Sequence, residues 1–182
     1  MDLDVYVTLQ ALPGMETLSP EQLTELARWM VPRRLTADQF LFHQGEVADS
    51  MFLVVEGMLR LDQRDRRGAM QAIGNLRAGE TIGEDALFDR APRSATCIAS
   101  TDSLLAELSA DDLAIVERRA PAVASRLISA LSQAQARKLR RVNGQTEMLI
   151  RKYAEPGILQ TPKHGGPDVT VMGKLWARIT RS

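Results

Sequence analysis

Glu84 and Arg93 lie nine residues apart in "IGEDALFDRAPRSAT", residues 82–96, with Gly83, Ala86, Ser94 and Ala95 as small neighbours. A glycine leading into a short helical turn at Glu84, Asp85 and Ala86 leaves backbone N–H groups for an anion. Pro92 fixes the chain immediately before Arg93, whose planar guanidinium matches a phosphate by two parallel hydrogen bonds. An ionised glutamate only accepts, so Glu84 suits sugar hydroxyls. Ser94 and Ala95 leave room for close backbone approach. One cation for a phosphate and one carboxylate for a ribose would make a nucleotide site. A Glu84–Arg93 ion pair in a solvated loop is the alternative that these residues leave open.

The elements around this stretch change character along the chain. "LSPEQLTELARWM", residues 18–30, reads as a helix capped by Ser19, with Pro20 in its first turn. Leu23, Leu26, Ala27 and Met30 form its apolar face, and Pro32 stops it. From 38 to 109 short apolar runs alternate with turn formers: "QFLFH", "MFLVVEG", "MLRLD", "MQAIG", "SATCIAS" and "SLLAELS" each read as a strand. Glu56-Gly57 between two of these runs predicts a tight hairpin. Such spacing indicates a β-sandwich or barrel, not βαβ units. Helix returns at "SADDLAIVERR" behind a serine cap with acids in the first turn. Pro121 then opens a long helix to about Lys152, on which Leu127, Ile128 and Leu131 share a side. Ile128, Gln135, Val142 and Leu149 recur every seven residues as a part-polar seam that could pair with a second copy. The tail, rich in Pro and Gly, reads as a loose segment with a docking stretch around Trp176.

The 182 residues carry 23 Lys/Arg against 23 Asp/Glu. The balance is uneven: up to residue 117 there are ten basic and twenty acidic residues, and from Arg118 onward thirteen and three. A basic end of this kind marks either an interaction segment or a helix face solvated against the chain's own acidic part. The single cysteine, Cys97, forms no internal disulfide, so a reducing, cytoplasmic setting is expected. The acidic start is no secretory signal, and no apolar run is long enough to span a membrane. Two histidines, His43 and His164, are too few for a cupin-type metal centre. "GxSxG", "HExxH" and Walker patterns are absent, and Cys97 sits in an apolar strand unsuited to a nucleophile. Neither an enzyme nor an iron–sulfur sensor is expected.

The stretch 82–96 resembles the phosphate-binding cassette of cyclic nucleotide-binding domains, as in catabolite activators and the regulatory subunits of cAMP-dependent protein kinase. Ile82, Gly83, Glu84, Ala86, Leu87, Arg93, Ser94 and Ala95 carry that resemblance. So does "LFHQGEVADSMFLVVEG" upstream, with Gly45, Glu46, Ala48, Met51 to Val54 and Gly57. The resemblance covers residues 15 to 150.

The resemblance implies a mainly β fold with flanking helices (α+β). This would be a β-roll or jelly roll of about eight strands, followed by a long C-terminal helix lying over the pocket and a tail. The expected division is an N-terminal segment 1–14, the β-roll with its N-terminal helix 15–119, the long helix 120–152 and the tail 153–182. Glu84 is then expected to accept the ribose 2′-hydroxyl and Arg93 to pair with the cyclic phosphate. Gly83, Asp85, Ala86, Ser94 and Ala95 would complete the ligand site. Cys97 stands in place of a usual aliphatic, Phe42 in place of a smaller apolar residue, and Asp85 adds an acid near the phosphate.

Ser94 after the arginine leans toward cAMP over cGMP. The helix region that touches adenine in the activators corresponds to Arg137–Leu139, which lacks hydroxyls. A homodimer is expected through the long helix, and a protein partner through the basic helix and tail. Catabolite activators continue into a winged helix, for which the residues after Lys152 leave too little chain, so sequence-specific DNA binding is not expected. A truncated regulator acting on DNA or a transcription complex, or an adaptor with a non-binding pocket, are the alternatives.

Overall fold

A computed structural model describes residues 3–65 and 67–154, with side chains placed as far as Arg140. The chain divides into two compact units, 1–140 and 141–182. Helix α1 (Leu3–Gln10) and α2 (Pro20–Arg28) come first, then eight strands: β1 (Val31–Leu35), β2 (Phe40–Phe42), β3 (Ser50–Glu56), β4 (Met58–Arg64), β5 (Met70–Arg77), β6 (Thr81–Ile82), β7 (Thr96–Ala99) and β8 (Ser103–Ser109). Helices α3 (Ala110–Arg119) and α4 (Pro121–Ala154) follow. Of the second unit, only the helical backbone of α4 up to Ala154 is described. The stretch around Trp176, Val142 and Leu149 of the seven-residue seam, and the tail lie outside the described side chains.

The strands form two antiparallel four-stranded sheets, ordered β1-β8-β3-β6 and β2-β7-β4-β5. Strand β3 explains why. Its "SMFLVV" is buried throughout, so both of its faces must be covered. Phe52 and Val54 face the second sheet, in a core with Leu35, Phe42, Leu59, Leu76, Ile82, Cys97, Ala99 and Leu105. Met51, Leu53 and Val55 face the other way, into a core with Leu9, Leu26, Leu113, Val116, Leu127 and Leu131 from the helices. The antiparallel β-roll with flanking helices agrees with the fold expected from the cassette.

Several local expectations hold. Ser19 caps α2 in a reciprocal capping box with Gln22, and Leu23, Leu26, Ala27 and Met30 are all buried. Ser109 caps α3 by accepting from the Asp112 N–H.

Others are corrected. The expected hairpin at Glu56-Gly57 does not form, because β3 and β4 belong to different sheets. Gly57, at φ 88°, is the corner where the chain leaves one sheet for the other, and a Cβ there would collide with Ser103 and the backbone of Asp102. Pro32 lies inside β1, an edge strand, where a missing N–H is tolerated. Residues 3–10, which carry no strong signal in sequence, form α1, and this helix with the turn after it supplies Val5, Leu9 and Leu12 to the core. Leu127 and Leu131 are spent on the chain's own core, leaving Ile128 and Gln135 half-buried on α4.

Candidate functional site

The cassette begins where β6 ends. Gly83 adopts φ 76°, which only glycine holds without strain, and caps the 3-10 turn Glu84–Leu87. A Cβ at Gly83 would run into Nη1 of Arg93, so the glycine is also required by space. The turn buries Glu84 (2% exposed) and Ala86 against β3 and holds Asp85 at the pocket rim.

Arg93 is fixed from two sides. Its backbone is clasped by the upstream motif: the Gly45 N–H donates to its carbonyl at 2.8 Å, and its own N–H donates to the Glu46 carbonyl at 2.9 Å. That clasp is what "GE" at 45–46 contributes to a site nearly fifty residues on. The guanidinium, 8% exposed, packs over the Phe42 ring at 4.3 Å and the Phe52 ring at 5.6 Å. Phe42, the larger residue that the sequence places unexpectedly here, is thus the platform for the arginine. Nη2 donates to Ser50 Oγ at 3.4 Å, a long and weak bond. Nη1 is buried and has no hydrogen-bond partner among the described residues. Burial pushes the Arg93 pKa below its ordinary value, with the acids Asp49, Glu107 and Glu46 acting the other way.

The Glu84–Arg93 ion pair of a solvated loop is absent, and both residues are buried. Glu84 Oε1 instead accepts from Thr81 Oγ1 at 3.0 Å and from Lys138 Nζ at 2.9 Å. Lys138 sits on α4 and also donates to the Thr81 carbonyl. Gln135, one turn earlier, donates to Asp85 Oδ1 at 3.4 Å. Burial first, then Glu84 and Asp89, raise the Asp85 carboxyl above its usual pKa, while Lys138 opposes them.

Phe42, Glu84, Asp85, Arg93, Gln135 and Lys138 line one pocket, together with Ala48, Leu61, Ile73, Ile82, Pro92, Ser94 and Ala95. Every sequence-predicted site residue is there: Gly83, Glu84, Asp85, Ala86, Arg93, Ser94 and Ala95. Sequence reasoning missed Lys138, Gln135 and Ser50. Lys138 lies in the very 137–139 region noted for its lack of hydroxyls, so the signal was a cation where an uncharged donor was sought. Chemically, the pocket offers an unsatisfied guanidinium donor beside a carboxylate with spare acceptor capacity, framed by apolar Leu61 and Ile73. Among the described residues no group of His, Cys, Asp and Glu could hold a metal ion, and no helix is long and apolar enough to cross a membrane.

The sequence pattern of the family described as cyclic nucleotide-binding domain matches residues 32–118. The cyclic AMP receptor protein of Thermus thermophilus is 29% identical over 141 residues, covering 78% of this chain and 63% of the receptor. The chain therefore spans less than two thirds of that relative's length. The N-terminal domain of a transcriptional regulator from Streptomyces coelicolor is 34% identical, with TM-score 0.62 over 76% of this chain and 94% of that one. A cyclic nucleotide-binding domain from Methylobacillus flagellatus superposes with TM-score 0.73, covering 79% of this chain and 80% of that one, at 24% identity; this likeness speaks for the fold alone. On the pattern match, and on the antiparallel β-roll it covers, the chain belongs to the cyclic nucleotide-binding domain family through residues 32–118.

Proposed function

We propose that this chain is a cyclic nucleotide sensor, with cAMP preferred over cGMP, whose output passes through α4 and the residues that follow. The observation that carries this reading is Arg93 Nη1, a buried donor without a partner among the described residues, on a side chain that lines the pocket. Leaving such a group unpaired costs about 1–3 kcal/mol, a cost that a bound phosphate oxygen removes. Gly83, Glu84, Asp85, Ala86, Arg93, Ser94 and Ala95 form the ligand site in this reading, with Glu84 accepting the ribose 2′-hydroxyl. The preference for cAMP rests on Ser94 and on the ligand named for the Thermus relative.

Regulation without catalysis fits the pocket, which pairs no nucleophile with a base. The basic run from Arg118 to Lys152 would meet an acidic partner or a second copy in the cytoplasm. For a homodimer the support is the half-buried Ile128–Gln135 side of α4 and the exposed Leu139, since Leu127 and Leu131 are taken. The same basic run is what supports the second reading, a truncated regulator acting on DNA or a transcription complex through nonspecific phosphate contacts. An adaptor with a non-binding pocket has the weaker case, because it leaves the Arg93 donor without a purpose.

Calorimetric titration of the full chain with cAMP, cGMP and a cyclic dinucleotide tests the reading. Saturable 1:1 heat with a cyclic mononucleotide, tightest for cAMP, is expected. Absence of binding by all three would leave the adaptor reading standing.

A further inference from the structure

Glu84 divides its two oxygens. Oε1 takes both protein donors, Thr81 Oγ1 and Lys138 Nζ, the latter from a residue 54 positions away on α4. Oε2 accepts no hydrogen bond among the described residues. It is nonetheless not sealed away, since Arg93 Nη1 is the buried side-chain polar atom left unpartnered there. Lys138 is the cation paired with this buried carboxylate. Lys138 is itself anchored through the Thr81 carbonyl, so its Nζ is held between β6 and the cassette turn.

We propose that Lys138 is a positioning residue for the ligand's ribose. By occupying Oε1 from α4, it fixes the Glu84 carboxylate with Oε2 toward the pocket, where a ribose hydroxyl donates to it. The inference rests on the cyclic nucleotide reading of the site and adds to it a residue of the helix. One carboxylate is then shared between ligand and helix. A hydroxyl that withdraws electron density from Oε2 changes the hold of Oε1 on Lys138, which gives α4 a direct contact with the state of the pocket. Asp85 and Gln135 form a second, longer contact beside it, at the rim. The other charged groups facing the pair are Asp85 and Arg93, and neither bonds to Lys138 or Glu84.

The test compares cAMP with its 2′-deoxy analogue on the full chain, wild type against Lys138→Met and Lys138→Arg. In the wild type the missing hydroxyl should weaken binding about tenfold, the value of one hydrogen bond to a charged group. In Lys138→Met, cAMP should weaken by a similar factor and the ratio between the two ligands should fall toward one. Lys138→Arg should restore the ratio. Tighter cAMP binding by Lys138→Met would overturn the proposal, because Lys138 would then be a competitor for Glu84. Equal weakening of both ligands, with the ratio kept, would overturn it as well, because that is what mere loss of α4 packing produces. A thermal-unfolding cycle of Lys138→Met, Glu84→Gln and the double variant, without ligand, separates this from the parent reading. If no cyclic nucleotide binds the wild type but the two sites couple in unfolding, the reading of the ligand fails and the contact stands. If binding is seen and the sites do not couple, the Lys138 proposal alone falls.

Discussion

Replacing Arg93 with methionine sets a large effect on binding against a small effect on stability. In the unliganded protein the guanidinium gives little to the fold. Its hydrogen bond to Ser50 is 3.4 Å long, and its Nη1 is buried without a partner. The favourable contact is with the Phe42 face, worth about 1–2 kcal/mol for a largely desolvated cation. The unpaired donor costs about 1–3 kcal/mol, so the two nearly cancel. Methionine keeps the stem and an S–aromatic contact with Phe42 and brings no orphan donor. Arg93→Met should therefore unfold within about 1 kcal/mol of wild type in urea without ligand.

Ligand binding should respond quite differently. Loss of a charge-assisted contact worth about 1.5–3 kcal/mol weakens affinity roughly 10- to 150-fold. At a ligand concentration of 100 times the wild-type Kd, the ligand stabilises wild type by about 2.7 kcal/mol. The variant should gain only about 0.3–1.4 kcal/mol by the same relation. Paired urea titrations with and without cAMP measure both numbers. A variant that loses more than about 3 kcal/mol unliganded would make Arg93 a structural core residue, and an undiminished ligand shift would place the phosphate elsewhere.

Other substitutions probe the rest of the cassette. Gly83→Ala forces a Cβ into a left-handed backbone and against Arg93 Nη1. Calorimetry should show at least tenfold weaker nucleotide binding, with the far-ultraviolet circular dichroism of the folded protein kept. Asp85, raised by burial and by Glu84, should take up a proton before ordinary carboxylates as pH falls. Its ionised form opposes both folding and an anionic ligand, so stability and affinity should rise as pH drops through that raised value toward the unfolded one. Asp85→Asn should remove this pH dependence and tighten binding at neutral pH by up to about fivefold, the scale of a partly exposed charge pair. Cys97 is fully buried and its thiol is pushed up to about 12, chiefly by desolvation. An alkylating reagent at pH 8 should leave it unmodified in the folded protein and label it in urea, as mass spectrometry would record.

The sequence by itself determined what is encoded within one turn or one short motif. The Ser19–Gln22 capping box, the Ser109 cap and the Gly83 turn each close within three residues, and local chemistry suffices for them. The six apolar runs also became strands, most of them because a sheet buries such runs wherever they lie, whereas "MQAIG" stays exposed and is held by its pairing with β4. The cassette residues could be named for the same reason: Glu84 and Arg93 belong to one stretch of chain.

Tertiary structure decided what depends on distant partners. Pairing sent β3 and β4 to different sheets, so Gly57 became a corner and not a hairpin; the dipeptide alone is compatible with either. Packing absorbed Leu127 and Leu131, which in sequence are equally suited to a second copy. Above all, the surroundings of the two key charges come from far along the chain. Ser50 reaches Arg93 across 43 positions and Lys138 reaches Glu84 across 54. No periodicity records such a meeting. It arises because the β-roll folds its turn at 84–87 against the helix that closes the chain's core, and a buried carboxylate there must find a cation within reach.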